Sequence, residues 1–283
     1  MTIANDLVQS TSWPPRIDVL GTPLNIVGFE ETLDLLVRLA HGDHPAYVVT
    51  ANVDHVVRLN RRPELRPLYA EADLVVADGM PLVWAARLLG HRLPERVAGS
   101  DLFPCLCQRA AKEGLTVYLL GGALGTAETA AAVLKHENSS LQIVGIDCPP
   151  YGFERDAAEC ERIVERIRAA GPDILFVALG SPKQEQWINA NRSRCGARLS
   201  LGVGISFSFV SGHVQRAPQW MQRIGLEWFH RMVQEPRRLC RRYLVDDWAF
   251  SWILLRGLIH SHMRRAIRHY RDGNSGSCGR VQD

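Results

Sequence analysis

The feature that most constrains this chain is a regular alternation of short, largely apolar runs with longer stretches of helical period. Tyr47–Thr50, Leu74–Ala77, Thr116–Leu120, Gln142–Ile146, Ile174–Leu179 and Arg198–Val203 read as strands. Helical segments fall at Glu30–Ala40, Val53–Asn60, Pro81–Leu89, Ser100–Lys112, Thr126–His136, Asp156–Ala170 and Pro182–Asn191. A strand that is apolar at successive positions, rather than at every second one, needs cover on both faces. The pattern therefore predicts an α/β fold: a Rossmann-like, mostly parallel sheet with helices on both faces. Pro81 and Pro182 supply first-turn start signals and Ser100 a cap.

After Gly212 the strand signals stop, and a boundary is expected near residue 215. Residues 1–215 form the α/β core of this reading, and 216–283 a helical appendage rich in Arg and Trp. The appendage has thirteen arginines, no lysine and six carboxylates, a net of +7, whereas the preceding 215 residues carry twenty basic and twenty-four acidic side chains. A mildly acidic body with a basic tail implies an anionic partner for the tail. Trp248, Trp252, Leu255, Ile259, Ala266 and Tyr270 share one side at helical spacing, with Arg264, Arg265, Arg268 and Arg271 opposite. That is the build of a helix lying on an anionic membrane surface, with a coiled-coil or core-packing face as the alternative. No nucleic-acid motif accompanies the arginines, so nucleic acid is not expected. The Gly/Ser-rich end, Gly273–Gly279, reads as disordered. No run approaches the eighteen apolar residues of a membrane span, and Met1–Ser12 has neither the basic nor the apolar region of a secretory signal. Seven cysteines without a Cys-x-x-Cys pair point to a reduced, cytosolic chain, with Cys105 and Cys107 on a helix.

Chemistry is expected where strands end, because open parallel sheets bind ligands beyond the carboxyl ends of their strands. Thr50 and Asn52 close one strand. Asp78, followed by Gly79-Met80-Pro81, closes the next and reads either as a helix cap or as a carboxylate aimed into the crevice. Gly121 and Gly122 sit in a strand–glycine–helix turn suited to a phosphate, though such turns also occur for purely structural reasons. Lys183 and Gln184 open a helix after the Ile174–Leu179 strand. Lysine is not the charge a helix start favours, so Lys183 suggests an anionic ligand, the alternative being a solvated side chain. Gly204 ends a further strand. No Asp-x-Asp, His-x-x-x-His or clustered carboxylates occur at metal-ligand spacing, so no divalent metal cofactor is expected. A departing diphosphate would then need arginines and backbone dipoles. Arg231, Arg237, Arg238, Arg241 and Arg242 recur at three- and four-residue steps and would supply guanidinium groups for phosphate.

Several blocks together resemble the WecG/TagA/CpsF family of bacterial glycosyltransferases. They are Thr50-Ala51-Asn52-Val53-Asp54-His55, Ala72 to Pro81, Arg96-Val97-Ala98-Gly99-Ser100-Asp101, Leu120-Gly121-Gly122 and Gly180 to Glu185. Gly202-Val203-Gly204, Arg216-Ala217-Pro218, Gly225-Leu226-Glu227-Trp228 and Glu235 to Tyr243 complete the match, which runs from about residue 17 to 243. The resemblance implies inverting transfer of a hexose from a UDP-sugar donor to a polyprenyl-diphosphate-linked acceptor, without a metal, at the cytoplasmic face of the membrane. It implies Asp78 as catalytic base with Thr50 and Asn52 beside it, Gln184 in the active site, and Arg231, Arg238 and Arg241 as diphosphate-reading arginines. The donated sugar stays open among glucose, N-acetylmannosamine and its uronic acid, as does the oligomeric state, a homo-oligomer included. Where the family often has Phe-Asp, this chain has Phe207-Ser208, which removes a carboxylate at position 208. The rival reading is an NAD-dependent sugar-nucleotide oxidoreductase or epimerase built on the Gly121-Gly122-x-x-Gly125 turn. That turn lies deep in the chain, and neither Gln142 nor Val144 after it is the acidic residue such a site requires.

Overall fold

The computed structural model describes residues 13–223, 225–234, 248–260 and 263. A two-stranded antiparallel hairpin comes first, β1 (Arg16–Val19) and β2 (Thr22–Asn25). Six parallel strands follow: β3 (Ala46–Ala51), β4 (Leu74–Ala77), β5 (Thr116–Gly121), β6 (Gln142–Asp147), β7 (Ile174–Ala178) and β8 (Leu199–Gly202). They form one sheet in the order β4-β3-β8-β7-β5-β6. The helices are α1 (Phe29–His41), α2 (Val53–Arg61), α3 (Arg66–Ala70), α4 (Met80–Leu88), α5 (Gly99–Glu113), α6 (Thr126–Glu137), α7 (Ala157–Ala170) and α8 (Lys183–Asn191). Shorter ones follow, α9 (Ser206–Val210), α10 (Gln219–Arg223) and α11 (Glu227–Gln234), and residues 248–260 are again helical.

Every strand and helix expected from the apolar pattern is present within one residue of its anticipated bounds. The sheet separates two apolar layers. On one side Tyr47, Val49 and Val75 meet Val56 and Leu59 of α2, Leu82 of α4, Ile163 of α7 and Ile188 of α8. On the other, Val48, Val76 and Phe176 meet Leu36 of α1, Phe103 and Leu106 of α5, Leu134 of α6 and Phe207 of α9. Successive strand residues point to opposite faces, so cover on both sides demands the continuous apolar runs seen in the sequence.

Three local expectations need correction. β6 is an edge strand with Gln142 exposed, so it is not covered on both faces. Ser100 is not a cap: α5 starts one residue earlier, after Ala98, because Arg96-Val97-Ala98 leads the chain in as extended backbone. Pro182 precedes the first turn of α8 instead of lying within it. The hairpin was not anticipated, and it shields the other sheet edge. The buried Asn25 carboxamide accepts the Val75 N–H at 2.9 Å and donates to the Pro14 carbonyl at 3.0 Å, satisfying groups that an open edge strand leaves unpaired. At the amino ends of the strands two aspartates act as clips. Asp73 accepts the Tyr47 N–H, and Asp173 accepts the Thr116 N–H and hydroxyl, each near 2.8 Å. Structural carboxylates thus gather at one end of the sheet, leaving the carboxyl end to other work.

Beyond Arg216 no strand occurs among the described residues. The helix over 248–260 packs Phe250, Ala249, Ile253 and Leu254 onto the first apolar layer. Gly257 permits a close approach there, since an added Cβ would lie 2.5 Å from Leu20 Cδ2. Its outer stripe, Trp248, Trp252, Leu255 and Ile259, is exposed, Trp248 to 79%. The core-packing alternative for those four residues is therefore excluded: the neighbouring helix face does the packing. Ala266, Tyr270, the arginines from Arg264 to Arg271 and the Gly273–Gly279 segment lie outside the described residues.

Candidate active site

Five strand ends open into one cavity of about 840 Å³. β3 contributes Thr50 and, one step beyond it, Asn52; β4 leads to Asp78; β5 to Gly122; β7 to Gly180 and Ser181; β8 to Val203 and Gly204. The opposite wall comes from after residue 216: Gln222 of α10, Gly225, Glu227 and Trp228 at α11, and Phe250 and Ser251. The cavity lies where parallel-sheet topology puts ligand crevices, roofed by the segment that follows the core.

Asp78 is held in register with Asn52. Ala51 and Ala77 are partners across β3 and β4, and the Asp78 N–H donates to the Ala51 carbonyl at 2.7 Å. The cap explanation for Asp78 fails. The residue before α4 is Gly79 at φ 137°, no side chain caps that helix, and the Asp78 carboxylate instead accepts the Gly99 N–H at 3.3 Å. Burial, and then the nearby Glu227 carboxylate, push the Asp78 carboxyl up to about 6, against the opposing pull of Arg96, the Gly99 N–H and His55. A carboxyl poised there is a base matched to neutral solution.

Beside it sits an ion cluster that the sequence did not reveal. Arg96 donates to Asp101 at 2.9 Å and to Glu227 at 3.0 Å. Arg216 donates to Asp101 at 2.5 Å and lies 3.6 Å from Glu227. Two guanidinium groups and two carboxylates thus join the start of α5 to the wall beyond residue 216. Each residue belongs to a recognisable block, but the two pairs that join the blocks, Arg96 with Glu227 and Arg216 with Asp101, each span more than a hundred positions and leave no local signal.

The remaining expected site residues divide. Thr50 is buried with its hydroxyl 3.3 Å from the Gly202 carbonyl, and Asn52 caps α2 by accepting the Asp54 N–H at 3.1 Å; both face the cavity. Gln184 also lines it, but its two ends are engaged: Oε1 accepts the Gly204 N–H at 3.1 Å and Nε2 donates to Glu185 at 2.9 Å. It braces the β8–α9 turn, on which Gly204 and Ser208 reach the wall. Gly122 is on the wall at φ 91°, packed so tightly that an added Cβ would lie 2.7 Å from Thr126 Oγ1. Gly121 and Lys183 are not among the lining residues. Gly121 lies against the Ala178 backbone, while the Lys183 ammonium pairs with Glu154 and sits 4.3 Å over the Tyr151 ring. Arg231 falls on α11, whose description stops at its backbone there, and Arg238 and Arg241 lie outside the described residues. Among the described residues no three His, Cys, Asp or Glu side chains gather as a metal-binding group.

Residues 17–264 match the profile of the glycosyl transferase WecG/TagA/CpsF family. The chain belongs to that family. It is a glycosyltransferase, which decides against the oxidoreductase alternative. A curated relative from Bacillus spizizenii, N-acetylglucosaminyldiphosphoundecaprenol N-acetyl-beta-D-mannosaminyltransferase, is 32% identical over 203 residues, covering 72% of this chain and 77% of the relative. The matched region of the family profile contains both the strand ends and the helical wall, so the cavity is a feature of the family-matched part as a whole. No helix among the described residues is long and apolar enough to cross a membrane.

Proposed function

We propose that the enzyme moves a hexose from a UDP-sugar to a polyprenyl-diphosphate-linked sugar, inverting the anomeric centre, with Asp78 as general base. The observation that carries this is the Asp78 carboxyl on the cavity wall, freed from helix capping and raised towards neutral pH. In the reaction an acceptor hydroxyl oxygen forms a bond to the anomeric carbon, the bond from that carbon to the UDP oxygen breaks, and the hydroxyl proton passes to Asp78. General-base catalysis of this kind contributes roughly 10²- to 10⁴-fold. Charge developing on the departing diphosphate meets Arg96 on the cavity wall and, in this reading, Arg231, Arg238 and Arg241 of the appendage. No divalent metal takes part. The relative's printed name favours N-acetylmannosamine as the donated sugar and N-acetylglucosaminyl-diphosphoundecaprenol as the acceptor.

In this reading the enzyme works as a peripheral protein on the cytoplasmic face of the membrane, where a UDP-sugar and a lipid-linked acceptor would meet. Its membrane-facing surface is the exposed stripe of Trp248, Trp252, Leu255, Ile259 and Met263. A second cavity of about 400 Å³ beside it is lined by Arg61, Arg256 and His260 and by no carboxylate, which suits anionic headgroups.

A panel of UDP-sugars offered with a polyprenyl-diphosphate-linked N-acetylglucosamine acceptor tests the reading through UDP release. UDP-N-acetylmannosamine should give the fastest release. Release with none of the sugars, or tighter binding of NAD than of UDP by calorimetry, would refute it.

A further inference from the structure

Two ionisable side chains face each other at the cavity wall, His55 on the lining and Glu185 behind it. Glu185 of α8 and His55 of α2 are 1% and 4% exposed, and His55 Nε2 lies 3.5 Å from Glu185 Oε1. Gln184 Nε2 donates to the same carboxylate oxygen at 2.9 Å. The other imidazole nitrogen, Nδ1, lies 2.8 Å from Asn52 Oδ1 and 3.2 Å from the Asn52 backbone nitrogen. Around the pair, His55 Nε2, Glu185 Oε2 and the Tyr47 and Tyr69 hydroxyls are buried without a hydrogen bond. Tyr69 packs edge-on against the imidazole.

This arrangement is a poor way to stabilise a fold. Taking a carboxylate out of water is costly, and apolar residues of similar volume commonly serve a core as well or better. Burial does oppose ionisation of Glu185, yet His55 and the Gln184 hydrogen bond hold its carboxyl below the usual range. What the pair touches suggests its use. Asn52 is gripped from two sides: the Asp54 N–H donates to its Oδ1, and His55 Nδ1 lies against both its Oδ1 and its backbone N–H. Its Nδ2 has no partner among the described residues, and the residue lines the cavity in register with Asp78. A carboxylate orienting an imidazole that orients a third group is a recurrent way to fix a site.

We propose that Glu185 and His55 are positioning residues: they lock the Asn52 carboxamide so that its two Nδ2 donors meet an oxygen of the bound glycosyl donor in a fixed orientation. This rests on the transferase reading for its substrate, though not for its geometry. Glu185 is not on the cavity lining and acts through His55, which is, and whose contacts with Asn52 carry the effect.

Two measurements test it. The first is an epistasis series with Glu185→Gln, His55→Gln and Asn52→Ala, scored by kcat/KM for the donor. Each single change should cost about tenfold or more, and Glu185→Gln should cost less than twofold further on the Asn52→Ala background. Undiminished, multiplicative loss on that background, or full activity of Glu185→Gln, would overturn the proposal. The second needs no activity: the Asn52 side-chain amide resonances of ¹⁵N-labelled full-length protein should shift in Glu185→Gln and in His55→Gln. Unchanged resonances would also overturn it. A wild type that releases no UDP from any sugar defeats the proposed function but leaves this second readout standing. His55→Gln reports on the same pair should Glu185→Gln fail to fold.

Discussion

The two walls of the cavity are made by different physics. The sheet side places Thr50, Asn52, Asp78, Gly122 and Gly204 first by backbone pairing: once β3, β4, β5 and β8 are in register, each residue at or just past a strand end is delivered to one edge, where contacts such as that of Gln184 with the Gly204 N–H brace it. The helical side is attached through side chains, by the Arg96–Asp101–Arg216–Glu227 cluster and by Phe250 in the apolar layer. The first wall persists as long as the domain is folded. The second can be loosened by single changes and continues into the exposed apolar stripe of Trp248, Trp252, Leu255 and Ile259. In the proposed function the general base stands on the sheet wall and Glu227, which helps to raise it, on the attached one, so the site is complete only when both are present.

The sharpest way to break the comparison is to remove residues 216–283. Transfer should fall below detection and flotation with anionic liposomes should drop severalfold, while the far-ultraviolet circular dichroism of the core strands and helices persists. A truncated chain that still floats and still transfers would show the second wall to be dispensable.

A finer cut is Glu227→Gln. Glu227 helps to raise Asp78, and the other charges facing Asp78, Arg96, Arg216 and His55, pull in the opposite direction. Losing Glu227 should therefore lower the folded-state pKa of Asp78. The acid limb of kcat/KM should move to lower pH, so that relative activity at pH 5.5 rises even if the maximum falls. A limb that stays in place, or moves up, would separate the two walls electrostatically. The smallest effect belongs to Lys183→Ala. Its ammonium pairs with Glu154 outside the cavity, so UDP affinity by calorimetry should change by less than twofold. A tenfold loss would put that lysine back at the site.

These differences also explain what could be read from the residues alone. The sheet wall was legible because its signals are local: apolar runs such as Leu74–Ala77 followed at once by a polar or glycine residue. The family blocks were legible for the same reason. The Arg96–Glu227 and His55–Glu185 pairs were not, because each joins residues more than a hundred positions apart, and nothing about a glutamate at position 185 signals an interior location. Lys183 illustrates the converse. A lysine at a helix start hints at an anion when only its own helix is in view, and its partner on the Phe153–Arg155 turn answers the hint. The β1–β2 hairpin escaped notice since Thr22-Pro23-Leu24-Asn25 contains a proline, which a strand tolerates chiefly at an edge.

The most direct test of the central claim is Asp78→Asn, followed by three readouts on the same protein. A raised folded-state pKa means that the aspartate is a burden above pH 6 and none below its unfolded value near 4, so stability is lost as pH rises through that window. The asparagine variant should accordingly melt higher than wild type at pH 7, by the equivalent of about 3 kcal/mol at most, and show little difference at pH 4. UDP should bind with unchanged affinity, and hexose transfer in a membrane-based assay should fall by about 10²-fold or more. Near-normal turnover, with no gain in stability at pH 7, would contradict the account.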